Sequence, residues 1–324
     1  MKNIALIFPG QGSLYQGMGK SLCERSPAAK EVFHRADAQY PEFCIHLPLS
    51  KVAFEAPDDF LQRTDLAQPV IFTHSCAAYE ALRPNLEKFL EAGAVRAAGL
   101  SIGEYAALYA AQAFNFEDGL QLVKTRGWLM LMSATGVSSG LLSIGGLDEE
   151  TVRSKLCNRF LHLALLNAPG QYVVGGNNHS LDVAIKKAQA LGARKIDRLK
   201  VPGAFHTSAY NYAARKFVKE PLLAQLNPLA FPVVANVDAR YHEDGEIRDR
   251  LVWQINSPVD WIGCTERLLD DGVELVIELG PKTIASGLVR RTAKATGRQV
   301  AFLNVDDAES LDATIEALAH YEQN

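Results

Sequence analysis

The segment Gly99-Leu100-Ser101-Ile102-Gly103 constrains this chain more tightly than any other. A Gly-x-Ser-x-Gly frame ends a strand in a turn too sharp for bulky neighbours and starts a helix with the serine at its tip. The flanks suit that geometry: Ala94 to Ala98 can end a buried strand, and Tyr105 to Gln112 continues as helix. Such a serine sits in strained backbone with Oγ exposed, and the N–H groups of the helix beneath it face a developing oxyanion. A short pattern with three fixed positions also arises by chance, so an ordinary turn serine is the competing reading until other residues join it.

The rest of the chain supplies the matching framework. Ile4 to Phe8 is an apolar run closed by Pro-Gly-Gln-Gly, as in a central strand ending in a glycine-rich loop. Helices are expected near 19–23, 27–38, 68–83 and 116–132, and strands alternating with helices argue for a mostly parallel sheet covered on both faces. The middle differs. Strands at 140–145, 162–167, 171–175 and 194–199, with helices at 148–160 and 180–191, give the order βαββαβ of a ferredoxin-like split unit. A small domain is therefore expected at 134–199, inserted into a larger α/β body formed by 1–133 and 200–324. The body resumes with strands at 231–236 and 273–279 and helices near 247–255, 261–270 and 283–295.

Composition excludes more than it selects. A formal net charge of −4 provides no global field to recruit nucleic acid. No apolar run reaches the roughly 18 residues needed to span a bilayer, and the N-terminal run stops at Pro9, too early for a signal sequence. Five cysteines, Cys23, Cys44, Cys76, Cys157 and Cys264, have no C-x-x-C spacing. An odd number of scattered thiols reads as reduced cysteine in a cytoplasmic protein.

A serine nucleophile needs a base, normally histidine. His34, His74 and His320 fall in expected helices, and His46, His162, His179 and His242 have no chemical neighbours in sequence. His206 lies in Val201-Pro-Gly-Ala-Phe-His-Thr207, where the small domain rejoins the body, and clefts between domains are where sites form. A second glycine-rich loop, Pro9 to Ser13, belongs on the same sheet edge as Ser101. It lacks the lysine and spacing of a P-loop, which leaves a donated backbone N–H or a plain tight turn. Arg126 stands among Val, Leu and Met; it is either paired internally or aimed at a cleft, where its planar fork could grip a carboxylate.

These segments together resemble the malonyl-CoA:acyl carrier protein transacylase family, including free-standing acyltransferases of polyketide synthesis. The likeness runs almost end to end, through Phe8-Pro-Gly-Gln-Gly-Ser13, Gly99 to Tyr105, Arg126-Gly127, Asn167-Ala-Pro-Gly-Gln171, Gly203-Ala-Phe-His206, Asn256-Ser-Pro-Val259 and Glu278-Leu-Gly-Pro281. It implies an α/β fold with a large α/β-hydrolase-like body, a parallel sheet and the inserted ferredoxin-like unit. It implies a monomeric enzyme that moves a malonyl group from malonyl-CoA to the phosphopantetheine thiol of acyl carrier protein, without metal or redox cofactor. On that likeness Ser101 becomes acylated, His206 is its base, and the main-chain carbonyl of Gln254 orients the histidine. The N–H groups of Gln11 and Ile102 match the oxyanion hole, and Arg126 matches the residue that binds the free carboxylate. Ile102 and Ala204-Phe205 follow the pattern that goes with malonyl rather than methylmalonyl.

Two positions depart from the pattern. Leu100 replaces the histidine that usually precedes the nucleophile, and such replacements occur in acyl hydrolases that strip stalled groups from carrier proteins. Proofreading hydrolysis in a polyketide assembly line is therefore the alternative activity. Tyr210 and Tyr212 stand where Met and Pro are usual, and are expected near the pocket floor. Because acyl carrier protein is acidic in this setting, Arg194, Lys195, Arg198, Lys200, Arg290, Arg291 and Lys294 are candidates for its docking patch, against the competing reading of a solvated surface.

Overall fold

The computed structural model describes residues 2–39 and 47–321; Cys44 and His46 lie outside them. Among the described residues ten strands form two sheets. In chain order they are β1 (Asn3–Phe8), β2 (Val95–Gly99), β3 (Ser139–Gly145), β4 (Leu161–Ala168), β5 (Gln171–Asn177), β6 (Lys195–Arg198), β7 (Val233–Val234), β8 (Val259–Asp260), β9 (Val273–Leu279) and β10 (Ala301–Val305).

The larger sheet has the order β10-β9-β1-β2-β7, and every pairing in it is parallel. Parallel strands with helices on both faces read as continuous apolar runs rather than alternating ones. Strand β1 obeys this, with Ile4 through Phe8 all at 0% exposure. One covering helix, Thr64–Leu82, is buried around nearly its whole circumference, as its sequence of Leu, Ala, Val, Ile and Phe requires. Another, Phe116–Ala134, starts at Asn115, whose side chain accepts the Asp118 N–H at 2.8 Å. It delivers Arg126 to the carboxyl edge of the sheet.

The smaller sheet has the order β6-β3-β5-β4-β8. Its first four strands pair antiparallel, the arrangement that βαββαβ connectivity requires. The helix Asn178–Ala190 covers one face with Leu181, Ala184 and Ala188. One strand comes from outside the expected insertion: β8 joins β4 in parallel, so the return segment is stitched into the small sheet.

Three local expectations are corrected. A helix over 148–160 gives way to a short turn, Glu149–Thr151, and a π-helical turn, Val152–Leu156. Asn158 ends it, because its side chain accepts the Phe160 N–H at 2.8 Å and closes an Asx turn. The strand expected over 231–236 shrinks to Val233–Val234: Pro232 has no N–H to offer a ladder, and Asn236 is used elsewhere. Strand β10 and the helix Ala308–Tyr321 lie beyond the expected elements; β10 is a half-buried edge strand with no strong alternation.

Candidate active site

The elbow forms as its glycines predict. A Cβ on Gly99 would lie 1.9 Å from the Gly103 carbonyl carbon, and one on Gly103 would lie 2.3 Å from the Phe8 carbonyl oxygen. No larger residue fits either place. Ser101 is held at φ 54° and His206 at φ 60°, the left-handed region that costs a non-glycine residue of order 1 kcal/mol or more and marks functional positions. Asn236 clamps the turn: its Oδ1 accepts the Ser101 N–H at 2.7 Å and its Nδ2 donates to the Gly99 carbonyl at 2.8 Å.

The structure brings Ser101 and His206 together across 105 residues of sequence, with Ser101 Oγ 2.7 Å from His206 Nε2. His206 Nδ1 lies 2.6 Å from the Gln254 carbonyl. A carbonyl can only accept, so Nδ1 carries the proton and Nε2 is free to take one from serine. His206 is 3% exposed. Burial, and then the neighbouring Arg126 charge, pull its pKa from 6.5 to about 3, against the opposing Gln254 bond.

Both expected oxyanion donors stand beside this pair. Gln11 follows β1 and Ile102 caps the helix Gly103–Ala110. Among the described residues neither main-chain N–H has an acceptor, and both residues line the cavity in front of Ser101. The Gln11 side chain is tied back by the Thr64 hydroxyl, at 3.1 Å.

Arg126 is 1% exposed and has no carboxylate partner among the described residues. Its fork instead donates to neutral acceptors: Gln68 Oε1 at 2.6 Å, Gln254 Oε1 at 2.8 Å and Ser101 Oγ at 3.0 Å. Its Nε has no partner among the described residues. Burial lowers its pKa, with Tyr105 and Glu104 opposing, yet a guanidinium stays protonated in proteins. Among the described residues Arg126 therefore has no internal ion pair. A buried cation surrounded by amides is costly, and an incoming carboxylate would relieve that cost.

The cavity holds about 220 Å³ and lies between the two sheets. Its walls come from the Gln11 loop, the elbow, Arg126 and Met130, the inner faces of β3 to β5, and Phe205. Leu100 is part of the wall, packed against Gly10 with no polar atom to offer. Tyr210 and Tyr212 do not line it. Tyr210 sits behind Phe205 at a ring distance of 5.2 Å, and Tyr212 is 50% exposed. Phe205 itself lines the cavity.

Four site residues escaped sequence reasoning. Gln68 and Asn236 hold Arg126 and the elbow, and Glu104 and His242 form a buried pair beneath them at 2.8 Å. The one available signal was a polar side chain inside an apolar stretch, which does not say what it binds. Among the other histidines, His74 is buried with its Nε2 2.8 Å from the Asp306 carbonyl, far from the elbow in bonding terms. The four described cysteines are free, and no group of three or more His, Cys, Asp or Glu is placed to hold a metal ion among the described residues. No helix there is long and apolar enough to cross a membrane.

Residues 5–313 match the model of the acyl transferase domain family. The malonyl CoA-acyl carrier protein transacylase of Bacillus subtilis is 35% identical over 333 residues, covering 100% of both chains. The crystal structure of the malonyl-CoA:acyl carrier protein transacylase from Helicobacter pylori superposes with a TM-score of 0.89 at 28% identity, over 99% of this chain and 100% of that one. A malonyl-transacylase in complex with its type II polyketide synthase acyl-carrier protein superposes at 0.85 with 28% identity, over 97% of this chain and 99% of that one.

Proposed function

The chain belongs to the acyl transferase domain family, and on that footing we propose that it transfers a malonyl group from malonyl-CoA to the thiol of acyl carrier protein through an ester on Ser101. His206 Nε2 takes the Ser101 proton as Oγ attacks the thioester carbonyl; the carbonyl oxygen becomes an oxyanion between the Gln11 and Ile102 N–H groups. Collapse expels coenzyme A, with the proton returning to its sulfur. The carrier thiol then repeats the sequence in reverse on the acyl-serine, which is a ping-pong cycle. The proposed chemistry runs on side chains and main chain alone. Residues 1–133 and 200–324 serve as the catalytic body and 134–199 as the inserted unit that closes the cavity. The cytoplasm is the compartment this reading favours.

One observation carries the choice of acyl group: Arg126 is a buried guanidinium beside the nucleophile, without an anionic partner among the described residues. An enzyme for neutral acyl chains gains nothing from that charge. Incubation with labelled malonyl-CoA and acetyl-CoA plus holo carrier protein tests it; malonyl transfer well above acetyl transfer is expected. Rapid hydrolysis of acetyl or longer groups without malonyl transfer would instead establish the proofreading activity to which Leu100 points.

The pKa of His206 sets a second expectation. Its folded value, about 3, lies below the usual 6.5, so the resting base stays neutral through pH 5. The acid limb of kcat/KM for serine acylation should therefore fall well below 6.5. Stability moves the other way. The unfolded chain takes up this proton near 6.5 and the folded one does not, so His206 destabilises the fold increasingly as pH drops from 6.5 toward 3. An acid limb centred near 6.5 would show that the histidine is solvated in the working enzyme.

The carrier is expected on the groove beside the cavity, about 760 Å³, which shares Ser143 and Gln171 with it. Arg194, Lys195 and Arg291 line this groove, which unites two of the basic segments. Arg198 is engaged by Asp182 at 2.6 Å, and Arg290 lies over the Phe302 ring; they are weaker candidates. Reversing Arg194 and Arg291 to Glu should raise KM for the carrier by roughly tenfold. Loading of Ser101 should be spared at saturating malonyl-CoA. An unchanged carrier KM places docking elsewhere.

A further inference from the structure

Below the reacting atoms lies a layer of buried polar groups that the proposed cycle does not use. Glu104, in the first turn of the elbow helix, is 0% exposed. Its Oε1 accepts from His242 Nε2 at 2.8 Å; its Oε2 accepts from Gln254 Nε2 at 2.5 Å and from the Asn236 N–H at 3.2 Å. Those two amides hold everything above them. Asn236 clamps the elbow. Gln254 Nε2 also donates to the Ser101 carbonyl at 2.9 Å, while its Oε1 accepts from Arg126 at 2.8 Å. Its main-chain carbonyl is the acceptor for His206.

A carboxylate can only accept hydrogen bonds. Glu104 therefore dictates which way the Gln254 amide faces. With Nε2 toward Glu104, Oε1 is presented to the guanidinium. Flipped, the amide would set oxygen against carboxylate and NH₂ against the Arg126 fork, losing both charge-assisted bonds. Glu104 in turn needs a donor on its other oxygen, and His242 supplies it from a segment 138 residues away.

We propose that His242 is a positioning residue: acting through Glu104, it fixes the Gln254 amide and thereby the joint placement of Ser101, His206 and Arg126. The inference deepens the acyl-serine reading and rests on it. Catalytic geometry is steep, and a displacement near 1 Å can cost about 100-fold.

The test compares His242→Leu, which has no donor, with His242→Gln, whose amide places an N–H near the original Nε2. Mass spectrometry first counts the Ser101 sites that accept malonyl from malonyl-CoA, and turnover is expressed per such site. The Leu variant should lose about 10- to 100-fold in kcat per site, keep its KM for carrier protein, and discriminate less between malonyl-CoA and acetyl-CoA. The Gln variant should recover most of the loss. Should the Leu variant not fold, His242→Asn, whose shorter amide falls short of Glu104, takes its place with the same expectations. Wild-type turnover per site without the donor, whatever happens to the melting temperature, overturns the proposal, as do Leu and Gln variants that are equally slow. A wild-type enzyme with no ester on Ser101 would overturn the acyl-serine reading instead, before any variant is compared.

Discussion

Replacing Ser101 with alanine should remove the malonyl adduct from the intact protein and lower transfer by at least about four orders of magnitude, the scale on which serine nucleophiles fail when deleted. Three features make the loss large. The Oγ sits 2.7 Å from a histidine nitrogen whose tautomer is fixed by a main-chain carbonyl. The backbone at φ 54° aims that oxygen into the cavity, and the Gln11 and Ile102 N–H groups, without acceptors among the described residues, stand beside it. Among the described residues no other hydroxyl or thiol shares this arrangement: Ser143 lines the cavity without a histidine partner, and the Cys264 thiol is buried behind the elbow, with burial pushing its pKa well up. The variant should remain folded, because among the described residues Oγ bonds only to His206 and Arg126. Intact-mass spectra after mixing with malonyl-CoA check the adduct. An adduct that persists in the alanine variant would place the acyl group on another side chain and end the elbow mechanism.

Much of this site was legible in the sequence because its constraints are local. Gly99 and Gly103 are needed by contacts within a few residues or with the adjoining strand, so the five-residue frame specifies the turn. The four strands of the small unit were legible from apolar runs and turn residues, whereas β8, which joins their sheet from outside the insertion, was not. What stayed hidden depends on pairings over long separations. Nothing near Asn236 says that its amide will meet Ser101, 135 residues earlier. Glu104 stands in the first turn of a helix, where an acidic residue is favoured on dipole grounds alone, yet it is fully buried. His242 has no chemical neighbours in sequence; its partner, Glu104, is in another element. The edge strand β10 was missed for a different reason: half-exposed residues blur the apolar pattern on which strand assignment rests.

Arg126→Ala should lower kcat/KM for malonyl-CoA by two to three orders of magnitude while sparing or improving acetyl-CoA. The direction follows from what surrounds the guanidinium. It is buried, its hydrogen-bond partners are neutral, and Nε is unpartnered among the described residues. A malonyl carboxylate entering the cavity would exchange weak amide and hydroxyl acceptors for charge-assisted bonds, each worth about 1.5–3 kcal/mol. Losing two such bonds, less the desolvation of the substrate carboxylate, amounts to about 3–4 kcal/mol, and each 1.36 kcal/mol is tenfold in rate. Acetyl has no group to fill the clamp. For that substrate the variant removes a charge that holds Ser101 Oγ at 3.0 Å and depresses the proton affinity of His206. Freeing the hydroxyl and making the base stronger should both favour acylation. Lysine at this position tests the geometry separately from the charge, since an ammonium cannot offer the planar two-pronged contact; it should recover only part of the malonyl rate. Equal malonyl kinetics in wild type and Arg126→Ala would remove the carboxylate clamp, and with it the structural reason for preferring malonyl.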